Sequence, residues 1–386
     1  MTVIADSGTL KAFCDRVSGA DFITVDTEFI RDKTYWPVLC LIQIGGPDEA
    51  HVIDALADGI DLSPVFALME KPDLLKVFHA ARQDFEIFHH MTGKVPAPVF
   101  DTQVSAMVCG FGEQVAYDTL VAKLSKARID KTMRFTDWAR RPLSDKQIDY
   151  ALADVTHLRV VYEKLKIRLE KTGRAEWVAE EMAALCNPGL YEVDPRETWR
   201  RIKVRTAKPR LLAVLRELAA WREEQALAKD VPRNRILRDE GLVEIAAHAP
   251  TTRDELGKLR SLRGNQSGGS MGDGLLQAVV RGLAVPDKDC PRPEHGRGFQ
   301  QRPGPSADLL KVLLKMKAEK HDVAQRLIAN TEEIEAIALD DNADVPALSG
   351  WRRELFGEDA LALKHGRLAL TADGSEILTI ELKSGG

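Results

Sequence analysis

Cysteine is scarce and unpatterned in this sequence. The 386 residues include five cysteines, at positions 14, 40, 109, 186 and 290, with no C-x-x-C pair. This excludes a disulfide-stapled scaffold and a zinc ribbon, and it predicts a reducing, cytoplasmic environment. No apolar run approaches the roughly 20 residues that span a bilayer, and no secretory signal is visible. We therefore expect no membrane association.

Charge of one sign does not dominate the whole chain, but it is unevenly distributed. Residues 1–199 carry 23 Lys+Arg against 31 Asp+Glu, residues 200–264 carry 16 against 9, and residues 265–386 carry 15 against 19. The net charges are therefore −8, +7 and −4. The basic middle segment predicts a polyanion-binding patch, with a solvated helical face as the alternative.

The first 165 residues alternate short apolar runs with helical ones, which predicts an α/β domain with a mixed sheet. The predicted strands are FITVDTEF, VLCLIQIG, AHVIDAL and LLKVFHA. The predicted helices cover residues 7–17, capped by Ser7, and residues 62–69, 82–91, 102–109 and 145–169.

Strand signals end near residue 200. Helices are predicted over residues 211–228, 232–238, 242–248 and 253–259, then over 275–282 after a Gly/Ser-rich stretch, 264–274. That stretch lacks a preceding strand and a following Lys-Ser/Thr, so it predicts a flexible turn rather than a phosphate loop. The Pro/Gly-rich residues 286–306 predict a linker, and a second helical block is expected from residue 307 to the end.

The two helical blocks share apolar positions at an offset of 92. This pattern indicates a repeated core, although chance agreement between amphipathic runs is the alternative. The matching pairs are Ala226 and Ala318, Val231 and Val323, Ile236 and Ile328, Leu242 and Ile334, Ile245 and Ile337, Ala246 and Ala338, and Leu256 and Leu348.

Acidic residues at three points of the α/β part are candidates for catalysis. Asp26 and Glu28, two apart on a strand, leave the same face, and adjacent carboxylates repel unless a cation lies between them. Asp84 lies in the first turn of a predicted helix, where the helix dipole alone would favour an acid. Tyr150 and Asp154 share one face of a long helix, although a core Tyr beside a solvated acid would show the same spacing. Oxygen ligands and phosphate chemistry suit Mg²⁺ or Mn²⁺.

These acidic residues and Tyr150, in this order along the chain, resemble the three exonuclease motifs of the DEDD superfamily, in the subclass with Tyr in the third motif. The resemblance is closest to the ribonuclease D family. The resemblance rests on V-D-T-E-F (25–29), C-L-I-Q-I (40–44), H-A-A-R-Q-D (79–84), F-D-T-Q (100–103), D-W-A-R-R-P-L (137–143) and Y-A-L-A-D (150–154). The two C-terminal blocks resemble the HRDC helical domain.

The resemblance implies a ribonuclease H-like α/β exonuclease domain, with a mixed sheet and helices, followed by two all-α HRDC-like domains. The expected boundaries are 1–170 for the exonuclease, 171–206 for a connecting segment, 207–285 for a basic first HRDC domain, 286–306 for a linker and 307–386 for the second. The implied activity is that of a 3′→5′ exoribonuclease, which trims tRNA precursors and other structured RNAs and releases nucleoside 5′-monophosphates. We expect the enzyme to be a monomer.

Two divalent ions about 3.5–4 Å apart are expected to serve this hydrolysis. Asp26 is placed to bridge both ions, Glu28 and Asp154 complete the shell of the first, and the family implies that Asp84 supports the second through water. Tyr150 is expected to orient the attacking water, since an ordinary phenol is a poor base at neutral pH.

Six residues are candidates for substrate binding. Phe29 could stack on terminal bases, Gln43 could reach the terminal ribose, and His79 could hydrogen-bond near the site, while core packing or backbone contacts are the alternatives. In the basic block, phosphate contacts are predicted for Arg233, Arg235 and Arg238.

The sequence also bears on three other functions. A DNA exonuclease would use the same catalytic residues, because only contacts to the 2′-OH discriminate RNA from DNA. A catalytically idle RNA-binding protein is disfavoured, since all five catalytic positions carry competent residue types. A helicase is disfavoured because the sequence has no G-K-[ST] phosphate loop.

Overall fold

The computed structural model describes residues 3–204, 208–262, 267–292 and 304–382. The chain forms two units: residues 1–28, 39–190 and 301–386 make up the first, and residues 29–38 and 191–300 the second. Residues 264–266 of the predicted turn (264–274) and residues 293–303 of the predicted linker (286–306) lie outside the described residues. None of the helices in the described ranges has the combined length and apolarity that a membrane crossing requires.

A six-stranded mixed sheet is the centre of the first unit, in the order β1-β4-β3-β2-β5-β6. β4 runs parallel to β1 and antiparallel to β3, while β5 runs parallel to β2 and β6. The strands are β1 Val3–Ile4, β2 Phe22–Ile30, β3 Val38–Gly45, β4 Ala50–Asp54, β5 Leu75–Phe78 and β6 Val99–Asp101. The four predicted strands are confirmed, while β1 and β6 are too short to give a pattern.

Seven helices accompany this sheet within residues 3–190. They are α1 Ser7–Val17, α2 Ser63–Glu70, α3 Arg82–Thr92, α4 Thr102–Val108, α5 Tyr117–Ser125, α6 Asp145–Thr172 and α7 Ala175–Leu185. All five predicted helices are present, but Ser7 does not cap α1: the Asp6 carboxylate accepts from Thr9 N at 2.8 Å. The sheet and helices bury a core that includes Phe13, Ile23, Ile42, Ile53, Phe78 and Phe85.

The second unit is helical and packs around α8. Its helices are α8 Pro209–Lys229, α9 Arg233–Ile236, α10 Asp239–His248, α11 Arg253–Gly257 and α12 Gly269–Ala284. Its apolar core includes Trp199, Leu215, Leu218, Ile245, Leu275 and Val279. α12 begins at Gly269, so residues 269–274 are helical. The prediction of a flexible turn is wrong for that part, because core positions such as Leu275 hold the helix in place.

Residues 304–382 return to the first unit. The helices are α13 Pro305–His321, α14 Gln325–Ile328, α15 Thr331–Leu339, α16 Gly350–Arg352 and α17 Glu358–Lys364. α13 ends at Asp322 in the left-handed conformation, as α8 does at Asp230, 92 residues earlier. α9 and α14 lie at the same offset, so the repeated apolar skeleton has a structural counterpart. Ala324 N donates to Met107 O at 2.9 Å, which joins this block to the end of α4.

The last part of the chain is not helical. Strands β7 Leu368–Asp373 and β8 Glu376–Glu381 form an antiparallel hairpin. The prediction of an all-α block from residue 307 to the end is therefore wrong for these residues. Leu-Ala-Leu-Thr-Ala-Asp and Glu-Ile-Leu-Thr-Ile-Glu flank Gly374, which has a φ of +61°. This arrangement of alternating apolar residues around a glycine turn favours a hairpin.

Candidate active site

Three of the predicted carboxylates meet between β2 and α6. One ligand oxygen from each of Asp26, Glu28 and Asp154 lies within 4.8 Å of the others. Strand alternation directs Asp26 and Glu28 to one face of the sheet. On the same face, Thr24 Oγ1 donates to Val155 O at 2.8 Å and so fixes α6 against the strand. Strand and helix thereby hold the three carboxylates together.

Asp84 lies outside this cluster, in the first turn of α3. Its carboxylate accepts a hydrogen bond from the Thr27 hydroxyl, on the strand residue between Asp26 and Glu28. The charge of Asp84 contributes to raising the pKa of Asp26, after burial and the charge of Asp154. Because Asp84 is buried and held by Thr27, its orientation is fixed relative to the cluster.

The turn that leads into α3 is shaped by a second acid. Asp101 accepts from the backbone N–H groups of Ala80 and Ala81 at 3.2 and 2.8 Å, and Ala80 adopts a φ of +59°. Asp101 also caps α4 by accepting from Gln103 N at 2.7 Å. This left-handed turn sets the start of α3 and hence the position of Asp84.

Burial and mutual repulsion raise the pKa values of the carboxylates. Burial raises the pKa of Asp26 well above its usual range, and the charges of Asp154, Asp84 and Glu28 add to it. Burial and the same neighbouring acids raise the pKa of Glu28 to about 9. Burial raises the pKa of Asp84 and of Asp154 to about 7, opposed by hydrogen bonds from Thr27 and Tyr150 respectively. Such a set of oxygen donors fits a hard divalent cation, which offsets the repulsion.

Tyr150 lies one turn before Asp154 on α6, and its hydroxyl hydrogen-bonds the Asp154 carboxylate. Burial first, and then the charges of Asp154 and Glu28, raise the pKa of Tyr150 above its usual range. The phenol therefore stays protonated at neutral pH and acts as a hydrogen-bond donor. The ring of Trp138 lies 6.0 Å from the Tyr150 ring, centroid to centroid.

Tyr117 is a structural contributor that the sequence analysis did not identify. Its hydroxyl donates to the backbone carbonyls of Ala153 and Asp154, at 3.1 and 2.8 Å. It therefore fixes α6 at the residue that supplies a cluster carboxylate. The only signal in the sequence is an aromatic residue in the short helix α5, which the periodicity did not predict.

The three predicted substrate contacts nearest the motifs differ in their surroundings. Gln43 is fully buried on β3, and neither amide atom has a hydrogen-bond partner among the described residues. His79 Nδ1 lies 3.0 Å from Thr102 Oγ1, and its ring lies 5.2 Å from that of Tyr117. Phe29 follows Glu28 on β2 and is half-buried. Gln43 has unused hydrogen-bonding capacity, whereas His79 is engaged within the fold.

The three predicted arginines belong to the helical unit. Arg233 donates to the buried carboxylate of Glu223 at 2.5 and 2.8 Å, and to the hydroxyl of Tyr35 at 3.2 Å. Arg235 and Arg238 are exposed. Arg233 therefore neutralises a buried acid, while Arg235 and Arg238 present their charges to solvent.

The raised carboxylate pKa values predict a stability that depends on pH. A folded protein that holds protons which the unfolded chain has lost becomes less stable as pH rises. The pKa values of Asp84 and Asp154 are about 7 and that of Glu28 is about 9. The stabilisation that comes from these bound protons is therefore complete below about pH 4 and is lost as pH rises through these values. We expect the Tm of chelator-treated protein to fall relative to Asp26→Asn between about pH 5 and 9.

The matched control is Asp149→Asn, an exposed acid on α6. Added Mn²⁺ should raise the Tm of the parent more at pH 8 than at pH 5, because cations compete with protons for the carboxylates. A Tm difference between the parent and Asp26→Asn that stays constant with pH would contradict the repulsion.

The chain as a whole is similar to known proteins. A 3′-5′ exonuclease family model matches residues 1–170 and an HRDC domain model matches residues 212–279. The chain is 50% identical over 381 residues to Ribonuclease D of Nitrobacter hamburgensis, covering 99% of this chain and 100% of that protein. It is 49% identical over 379 residues to Ribonuclease D of Gluconacetobacter diazotrophicus, covering 98% and 96% respectively.

A solved structure shares the fold over nearly the whole chain. Escherichia coli RNase D, described as an exoribonuclease involved in structured RNA processing, superposes with a TM-score of 0.80 at 31% sequence identity. The match covers 94% of this chain and 98% of that one.

Proposed function

This chain belongs to the ribonuclease D family of 3′→5′ exoribonucleases, and from that premise we propose that it trims tRNA precursors and other structured RNAs to release nucleoside 5′-monophosphates. The observation that carries the proposal is the buried cluster of Asp26, Glu28 and Asp154, with Tyr150 hydrogen-bonded to it. Exonucleases of this family depend on divalent metal ions.

Asp26, Glu28 and Asp154 would hold two ions, Mg²⁺ or Mn²⁺, with Asp84 acting through water. When bound, the ions supply a water of lowered pKa and neutralise charge at the scissile phosphate. The donor set supports this assignment, since all ligands are carboxylate oxygens with raised pKa values. Thr27 keeps Asp84 oriented, and Tyr117 keeps the backbone at Asp154 in place.

Tyr150 positions the attacking water by hydrogen bonding. Its raised pKa supports this role, because a phenol that stays protonated does not remove a proton. Gln43 would contact the terminal ribose, since its buried amide has no partner among the described residues. Phe29 would stack on a terminal base, and we retain His79 only as a residue that orders the neighbouring turn.

Matched RNA and DNA oligonucleotides with single-stranded 3′ extensions test this function. We expect the RNA to shorten from its 3′ end with release of 5′-monophosphates in Mg²⁺ or Mn²⁺, and a chelator to stop the reaction. Faster digestion of the DNA would favour the DNA exonuclease. Binding of RNA without products under either metal would favour a catalytically idle RNA-binding protein.

We propose that the first helical block, residues 207–285, binds the phosphates of the RNA backbone. We also propose that residues 307–386 form a diverged HRDC-like domain. The charge asymmetry and the shared offset of 92 residues support this division. The salt dependence of RNA binding tests it, because each lost phosphate contact on a single strand reduces the log–log slope by about 0.7.

Arg235→Gln with Arg238→Gln should therefore weaken RNA binding and flatten that slope by about 1.4. Arg233 is left unchanged because its removal would leave the buried Glu223 carboxylate without its ion-pair partner. The matched control neutralises Lys320 and Arg326, two exposed cations of the second block. A larger change in the control than in the arginine pair would assign RNA binding to the second block.

We also propose a monomeric, cytoplasmic enzyme. All five cysteines are free thiols, as a reducing compartment favours. A single chain supplies every proposed catalytic side chain, so activity needs no second copy. Sedimentation of the active enzyme as one chain would agree with this.

A further inference from the structure

A basic loop precedes the helix that carries Tyr150. Residues 123–141 contain seven Lys+Arg against two Asp, within a region of the chain that is otherwise acidic. Two of these cations are paired inside the first unit: Lys131 with Asp118 at 2.6 Å and Arg141 with Asp54 at 2.6 Å. Lys123, at the end of α5, lies 5.9 Å from the centroid of the Phe111 ring. The other exposed cations with no ion pair among the described residues are Lys126, Arg128, Arg134 and Arg140.

Phe135 lies in this loop and is 91% exposed. The other large apolar side chains that are exposed in the described part of the chain reach at most 52%, at Val280. The Arg134 guanidinium lies 5.2 Å from the Phe135 ring centroid, a cation–π contact that leaves the rest of the ring open to solvent. An aromatic face among unpaired cations is the combination that binds single-stranded nucleic acid.

The loop is fixed next to the candidate active site. Gln147 Nε2, on the turn of α6 before Tyr150, donates to Thr136 Oγ1 at 3.4 Å. Trp138, buried beside Tyr150, lies three residues from Phe135, a separation of at most about 11 Å along the chain. The exposed ring is therefore within a few nucleotides of the carboxylate cluster.

We propose that the loop 126–140 is an RNA-binding surface of the exonuclease domain, where Phe135 stacks on a base upstream of the scissile phosphodiester and the four exposed cations contact phosphates. This proposal rests on the proposed function. The proposed surface lies outside the five catalytic residues. If it binds RNA, the exonuclease domain itself contributes to RNA affinity.

The test compares KM and kcat on a single-stranded 12-nucleotide RNA for the parent, Phe135→Ala and Phe135→Trp. We expect Phe135→Ala to raise KM about 5- to 150-fold, the range for losing one stacked base, with kcat little changed. Phe135→Trp should restore KM. The matched control is Ile167→Ala, an exposed apolar residue of α6 about 25 Å along the helix from Tyr150.

Fluorescence of RNA with 2-aminopurine at successive positions from the 3′ end gives a second readout, in an Asp26→Asn background. Quenching at an internal position that is lost in Phe135→Ala would identify the stacked base. Unchanged KM and unchanged quenching in Phe135→Ala would overturn the proposal and leave Phe135 as a contact for another protein. Failure of the parent to shorten the RNA would instead overturn the proposed exonuclease function.

Discussion

Asp26→Asn should reduce exonuclease activity by about 1000-fold or more while the protein remains folded. Asp26 belongs to the carboxylate cluster, and burial together with three acidic neighbours raises its pKa. The amide removes one charged ligand and also one source of repulsion. We therefore expect loss of turnover together with a Tm that is equal to or higher than that of the parent in chelator.

Asp154→Asn should give the same result from the helical side of the cluster. One of its carboxylate oxygens lies within 4.8 Å of a carboxylate oxygen of Asp26 and of Glu28. The control is Asp149→Asn, an exposed acid on the same helix, which should keep full activity. Near-normal turnover in either purified cluster variant would contradict the assignment of these carboxylates to metal binding.

Tyr150→Phe should lower the single-turnover rate by roughly 10- to 1000-fold, the range for positioning and proton-handling groups. Only the hydroxyl is lost, and the carboxylates keep their geometry. Metal affinity should change little. The pH profile should keep its shape, because a protonated donor contributes no titration near neutral pH.

The matched control is Tyr162→Phe, a buried tyrosine further along α6 whose ring packs against Phe22 and Phe100. This variant should retain the parent's rate. A Tyr150→Phe enzyme as fast as the parent would exclude a role in positioning water. A pH–rate profile that loses an ionisation in Tyr150→Phe would instead indicate proton abstraction.

Local periodicity was enough to place the main elements of the site. Residue spacing of two on β2 and of four on α6 directs Asp26 with Glu28, and Tyr150 with Asp154, to common faces. The apolar runs around them predicted the four long strands. The contact between strand and helix, through Thr24 and Val155, is long-range and has no signal in either segment.

Side-chain partners could not be predicted because they depend on tertiary packing. The Thr27–Asp84 hydrogen bond joins residues 57 apart, and the pairing of Arg233 with Glu223 depends on how α9 packs on α8. Charge counting treated the three arginines of the basic block alike. The structure distinguishes them, since Arg233 alone neutralises a buried carboxylate.

Elements at the chain ends and short elements were also not predicted correctly from the sequence. The C-terminal hairpin was missed because the helical repeat at an offset of 92 suggested that helices continue to the end. The Ser7 cap was wrong by one residue, since Asp6 and Ser7 are both good capping residues and only the backbone distinguishes them.

Metal ions at the scissile phosphate are the central claim, and a phosphorothioate substitution tests it most directly. RNA whose terminal phosphodiester carries sulfur at one non-bridging oxygen, as separated stereoisomers, is digested in Mg²⁺ and in Mn²⁺. Sulfur is a poor ligand for Mg²⁺ and a better one for Mn²⁺. We predict that one isomer is cleaved much more slowly than normal RNA in Mg²⁺ and that Mn²⁺ restores its rate. Equal slowing of both isomers in both metals would contradict metal contact with the phosphate at the Asp26–Glu28–Asp154 cluster.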